Sequence, residues 1–211
     1  MKNKAALVFA VVALGAVLGC GRLSELTNKA LKTDDTKTAG LPGDGSFTLA
    51  GKEWSSYPLE NTDVTIDLPG KPNDKTPPLP PSYRAIFSAM NIHAFDEKDF
   101  QSSVSQLSPT GARKFTIKEL AETSLAAVKK QIPKLTYEVE VRSETNAKLI
   151  GSFTRNGAEY HVRGCVVYKK PKPERVWAVL TIFPKDNADA QTASTRMINS
   201  VVFKESTERC Q

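Results

Sequence analysis

Hydrophobic and polar positions divide the chain into three stretches of different character. Residues 5–18 carry no charge and are rich in Ala, Val and Leu. Residues 21–51 hold few large aliphatics (Leu23, Leu26 and Leu31 before Leu41) among Asn, Lys, Thr and Asp, and run through Gly40-Leu41-Pro42-Gly43-Asp44-Gly45-Ser46. So few apolar groups and so many turn formers give that stretch no core of its own. From Trp54 onward, apolar residues recur at strand and helix periods.

The third stretch reads as alternating strands and helices. Val64, Ile66 and Leu68 fall on one face of a strand over 62–68, which Pro69-Gly70 stops. Lys71 to Pro81 holds five prolines, so it runs as an extended polyproline-type connector, a form that can also serve as a ligand for groove-type domains. Strands over Arg84–Phe95 and Phe100–Leu107 follow, joined by the turn Asp96-Glu97-Lys98-Asp99. The spacing of Ile117, Leu120, Ala121, Ser124, Leu125, Val128 and Ile132 predicts a helix over 116–132 with one core-facing stripe. Thr116 and Glu119 have capping-box spacing at its start, Lys129 and Lys130 suit its C-terminal end, and Pro133 closes it.

Thr136–Arg142 alternates Tyr137, Val139 and Val141 with charges. Ala147–Thr154 and Glu159–Lys169 flank Asn156-Gly157, the strongest short hairpin signal. Arg175–Phe183 is almost continuously apolar and therefore central, and a helix over Ala188–Ser200 precedes an edge strand at Val201-Val202-Phe203. The fold class is α+β: an antiparallel-dominated sheet packed by two main helices.

Composition narrows the classes. The chain has 211 residues, a net charge of +6, three cysteines and two histidines. Its length suits one domain with appendages, or at most two small ones. A hydrophobic fraction of 40% excludes a wholly disordered chain, and a mean hydropathy of −0.33 excludes a polytopic membrane protein. Three cysteines are too few for a disulfide-built scaffold.

Lys2 and Lys4 ahead of the apolar run give residues 1–19 the pattern of a secretory signal peptide. As a helix the run covers about 21 Å, short of the roughly 30 Å hydrocarbon core. It ends in Val17-Leu18-Gly19-Cys20, which resembles the lipobox of bacterial lipoproteins. The resemblance implies that signal peptidase recognises Val17, Leu18 and Gly19, and that the chain is cut before Cys20. It also implies a diacylglycerol thioether on that sulfur and often a third, palmitate-type chain on the new amino group. Two or three acyl chains give durable attachment to membrane lipid. Gly21 in place of Asp resembles default sorting to the outer membrane where the organism has one. A plain signal peptide ending by chance in Cys is the blander reading. Residues 20–51 then form a lipidated, flexible tether reaching roughly 30 Å, and 52–211 the folded domain.

Cleavage would leave 27 basic and 23 acidic residues, a mild excess. An extracytoplasmic compartment excludes a nucleic-acid partner. The excess reads as affinity for anionic head groups or envelope polymers, or as an ordinary solvated surface.

Asp63-Val64-Thr65-Ile66-Asp67-Leu68-Pro69-Gly70-Lys71-Pro72 resembles the opening of PsbP-like domains of secreted and lipid-anchored bacterial proteins. The long helix, Gly157–Arg163, Arg175-Val176-Trp177 and Ile198-Asn199-Ser200-Val201-Val202-Phe203 fit the same scheme. This likeness, over about residues 54–204, implies an α/β/α sandwich serving as a binding or accessory module.

Candidate chemistry is sparse. Cys165 and Cys210 are the thiols left after lipidation. Outside the cytoplasm they can pair as a disulfide, remain free, or act in redox or intermolecular roles. His93 with Asp96, Glu97 and Asp99 could seed a weak metal site, although turn carboxylates are more often solvated. His161 reads as a surface residue. Trp54, Tyr57 and Trp177 form either an aromatic platform or, for Trp177, core packing. Gly-x-Ser-x-Gly, Ser-x-x-Lys with its companions and a Gly-rich phosphate loop are absent from the sequence. The expectation is an envelope lipoprotein that binds an unknown envelope protein or polymer, without catalysis, cofactor or metal. The alternative is an envelope hydrolase or metal-dependent enzyme with a carboxylate-based site.

Overall fold

The computed structural model describes residues 46–210 other than 80, 171 and 205. In chain order the elements are β1 (Ser55–Pro58), β2 (Val64–Leu68), β3 (Asn73–Asp74), a 3-10 turn (Pro81–Tyr83), β4 (Phe87–Glu97), β5 (Phe100–Pro109), α1 (Ile117–Gln131) and β6 (Thr136–Val141). Then come β7 (Asn146–Arg155), β8 (Ala158–Lys169), β9 (Arg175–Pro184), α2 (Ala188–Ser200) and β10 (Val202–Phe203).

Seven strands form one sheet in the order β3-β4-β5-β9-β8-β7-β6, with antiparallel neighbours throughout. The near-continuous apolar run of β9 earns it the middle place because both of its faces are covered. Val176, Ala178, Leu180 and Ile182 join the core under α1. Trp177, Val179 and Phe183 join the core under α2. Helices therefore lie on both faces of an antiparallel sheet, and the α+β class expected from the sequence holds.

Close strand spacing shows at Gly164 of β8, where a Cβ would stand 2.0 Å from the Val179 carbonyl oxygen, so no larger residue fits. The β7–β8 turn uses positive φ at Asn156 (51°) and Gly157 (79°), as the Asn-Gly pair requires.

Both helices are capped by the side chain before their first turn. Thr116 Oγ1 accepts the Glu119 amide at 3.2 Å, and Asn187 Oδ1 accepts the Ala190 amide at 2.9 Å. The reciprocal half of the expected capping box is not made, because the Glu119 carboxylate is taken by the Arg113 guanidinium.

Several expectations change. Val64–Leu68 and Val202–Phe203 do not belong to the main sheet; with β1 they form a three-stranded sheet, β1-β2-β10, laid over the α2 side. Alternation reports which face of a strand is buried, not which strand it pairs with. β1, Ser-Ser-Tyr-Pro, is largely exposed and has no alternation to reveal it. Arg84 to Ile86 precede β4 as a turn, with the Ile86 amide donating to the Tyr83 carbonyl at 2.8 Å. Within the proline-rich connector, Asn73 and Asp74 pair with Ala94 and His93 as a short edge strand. On β6, Tyr137 and Val141 are 37% and 47% exposed, because this is the sheet's other edge.

The domain also starts earlier than Lys52. Phe47 is 2% exposed and belongs to the α2-side core. Residues 1–19 and Cys20, with the lipobox positions Val17, Leu18 and Gly19, lie outside the described residues.

Candidate functional site

The first described residues are fastened at one pole of the sheet, where the β4–β5 turn and the β9–α2 connection lie side by side. The Phe47 ring stacks on Phe100 with centroids 4.9 Å apart. Its amide donates to Asp99 Oδ1 at 2.7 Å, and its carbonyl accepts from Asn187 Nδ2 at 3.0 Å. Asp189, in the first turn of α2, accepts from Thr48 Oγ1 at 3.0 Å and from the Leu49 amide at 2.9 Å. A carboxylate there is favoured by the helix dipole as well. Lys98 Nζ, on a residue with φ of 52°, donates to the Ser46 carbonyl at 3.1 Å. Residues 46–49 are thus held in a charged, multiply bonded clamp.

The opposite end of the chain is fastened by the second candidate pair. Cys165, in the middle of β8, and Cys210 are joined as a disulfide with Cα atoms 5.3 Å apart. Cys210 is 5% exposed although it stands next to the last residue of the sequence. The tail before it is held as well: Thr145 Oγ1 donates to Glu208 Oε1 at 2.7 Å, and Asn146 Nδ2 donates to the Arg209 carbonyl. Of the three readings left open by the sequence, the structure has the bridge.

His93 and the acidic turn do not converge. His93 is 5% exposed, with Nε2 2.9 Å from the Glu60 carbonyl, and its neighbours along β4 alternate in face. Asp96 therefore points to the other side of the sheet. Glu97 pairs with Lys52, and Asp99 is engaged by Phe47. Among the described residues no three His, Cys, Asp or Glu side chains come together as metal ligands.

Asp96 itself is unusual. Its Oδ1 is buried and accepts no hydrogen bond. Burial pushes its carboxyl up to about 6, against the opposing pull of Lys75. His161 is half-buried rather than a surface residue, edge-on to Phe183 at 5.9 Å. Its burial and the nearby Arg163 charge lower its pKa.

The aromatic platform is not assembled. Trp177 is wholly buried, whereas Trp54 lies under the Arg196 guanidinium, 4.2 Å from ring centroid to Cζ, and Tyr57 packs at the edge of the same core. Sequence reasoning missed Asp189 and Asn187, and singled out Asp96 and Asp99 only as metal-ligand candidates, because roles such as these depend on partners up to 141 positions away.

The fold defines a class: an α+β domain with helices on both faces of an antiparallel sheet, fastened at both ends of its described residues. No known family profile matches the chain, and no curated protein matches it in sequence. Solved structures with a similar course include the Ran-binding protein Mog1p of Saccharomyces cerevisiae, with 10% identity over 73% of this chain and 97% of that one, at a TM-score of 0.44. LpqN, involved in cell envelope biogenesis of Mycobacterium tuberculosis, has 12% identity over 75% and 98%, at 0.35. A Pseudomonas aeruginosa protein of unknown function has 13% identity over 74% and 97%, also at 0.35.

Proposed function

We propose that the chain is a bacterial lipoprotein held to the extracytoplasmic side of a membrane through acylated Cys20. Its α+β domain acts there as a non-catalytic binding or accessory module of the cell envelope. The observation that carries this reading is the run Val17-Leu18-Gly19-Cys20 directly behind a Lys-led apolar leader. Two features of the domain support it. The buried Cys165–Cys210 bridge suits an oxidising compartment. The clamp around Phe47 accepts a chain arriving from the N-terminal side and spreads its load over the sheet and α2. No helix among the described residues is long and apolar enough to cross a membrane.

The test is fractionation of cells expressing the chain, with mass spectrometry of its N-terminal peptide. The expected product begins at residue 20 and carries a diacylglycerol thioether, and Cys20→Ser leaves the membrane fraction or keeps its leader uncut. An unmodified Cys20, or membrane attachment unaffected by Cys20→Ser, overturns the proposal.

A further inference from the structure

Three loops meet at the pole opposite the Phe47 clamp. The Thr110 amide donates to the Ile86 carbonyl at 2.8 Å, and its hydroxyl reaches the carbonyls of Ala85 and Ile86 at 3.1 Å each. Gly111 lies against the third loop, so near that a Cβ there would stand 3.8 Å from Lys172 Cε. These contacts gather Arg84, Arg113, Lys114, Lys170 and Lys172 on one rim.

The rim is positively charged beyond what its own acids balance. Glu119 takes Arg113 and Glu144 takes Lys170. Glu174 accepts the Tyr168 hydroxyl at 3.0 Å. Arg84, Lys114 and Lys172 are exposed and pair with no acid among the described residues. Cations on three separate loops, brought to one rim by the contacts of Thr110 and Gly111, repel one another and lower the cost of docking an anion.

Position decides which anion. Ten-residue strands of the main sheet separate the rim from the clamp by about 30 Å. Residues 46–49 enter the domain at the clamp pole, so on the lipoprotein reading the rim is the pole farther from the point where the tether joins. We propose that this rim binds a phosphate-bearing polymer of the cell envelope on the side away from the protein's own membrane. The polymer's location rests on the lipoprotein reading; the charge chemistry does not.

The experiment uses the full-length protein in neutral detergent and fluorescently labelled inorganic polyphosphate, followed by anisotropy over a salt titration. Reversing the rim in Arg84→Glu/Lys114→Glu/Lys172→Glu is expected to weaken binding by about tenfold or more and to flatten its salt dependence. The matched control Lys129→Glu/Lys130→Glu/Lys134→Glu removes the same charge from exposed positions near the other pole, and is expected to change binding less than about twofold. Equal weakening by both triples would show diffuse net charge and overturn the site, as would unchanged binding by the rim variant. Displacement of polyphosphate by phosphatidylglycerol vesicles at equal phosphate would overturn the polymer in favour of a membrane. Melting curves check folding; if the reversal unfolds the domain, Arg84→Gln, Lys114→Gln and Lys172→Gln singly are expected to give the same ranking. An unlipidated Cys20 together with intact rim binding would remove the anchor reading alone.

Discussion

Trp177 donates its indole N–H to Gln106 Oε1 at 2.8 Å inside the core, directly across the β9–β5 pair. The same oxygen accepts the Asp63 amide at 2.9 Å. Asp63 leads into β2, and the Trp177 ring stacks on Phe203 of β10 with centroids 4.8 Å apart. One carboxamide thus joins the centre of the main sheet to the small sheet lying across it.

Gln106→Leu is expected to destabilise the domain by about 2–4 kcal/mol, because it keeps the volume but strands the buried Trp177 indole N–H and the half-buried Asp63 amide. Urea denaturation monitored by tryptophan fluorescence reads the change. A double-mutant cycle with Trp177→Phe should show coupling of about 1 kcal/mol. Additive effects would mean that the hydrogen bond contributes nothing beyond packing.

The Cys165–Cys210 bridge closes a loop with a sequence separation of 45. Constraint of the unfolded chain gives it about 4 kcal/mol in the chain-entropy view. Cys165→Ala/Cys210→Ala should lower the urea midpoint accordingly and make it insensitive to reductant, whereas the wild-type midpoint should fall on reduction. Equal midpoints for oxidised and reduced wild type would contradict a stabilising role.

Asp96 produces a pH dependence of opposite sign to a salt-bridged carboxylate. Its folded-state pKa of about 6 lies above the unfolded value near 4. Between those values the folded state holds the proton more tightly, so stability falls as pH rises through that window and stays reduced above it. Asp96→Asn should therefore stabilise the protein at pH 7 by about 1–3 kcal/mol and have almost no effect below about pH 4. Denaturation curves at the two pH values check both halves of the prediction.

The elements with strong local signals were legible. β9 is central because an apolar run needs cover on both faces, and α2 spans the residues its spacing marked. Asn156-Gly157 turns where its φ preferences demand. What was not legible depends on distant partners. Val64–Leu68 alternates equally well in either sheet, and nothing in Ser-Phe-Thr-Leu at 46–49 separates it from the preceding low-hydrophobicity stretch. The candidate pair Cys165 and Cys210 was visible from count and compartment, yet its burial depends on Thr145 and Asn146 holding the tail. The rim could not be read at all, since the loops that carry Arg84, Lys114 and Lys172 meet through contacts of Thr110 and Gly111 that no sequence pattern marks.

Phe47 belongs to the folded core, five positions ahead of the Lys52 boundary expected from the sequence. Its ring fills the α2-side core against Phe100, and truncating such a side chain costs about 3–5 kcal/mol. Phe47→Ala should therefore lower the unfolding midpoint sharply, while Ser46→Ala, at an exposed position, should leave it unchanged. A chain beginning at Lys52 loses the ring and also the bonds to Asp99, Asn187 and Asp189, leaving two carboxylates beside the pole without their donors. It should be at least as unstable as Phe47→Ala. If it unfolds at the wild-type midpoint, residues 46–51 add nothing to the stability of the domain and its folded boundary lies at Lys52.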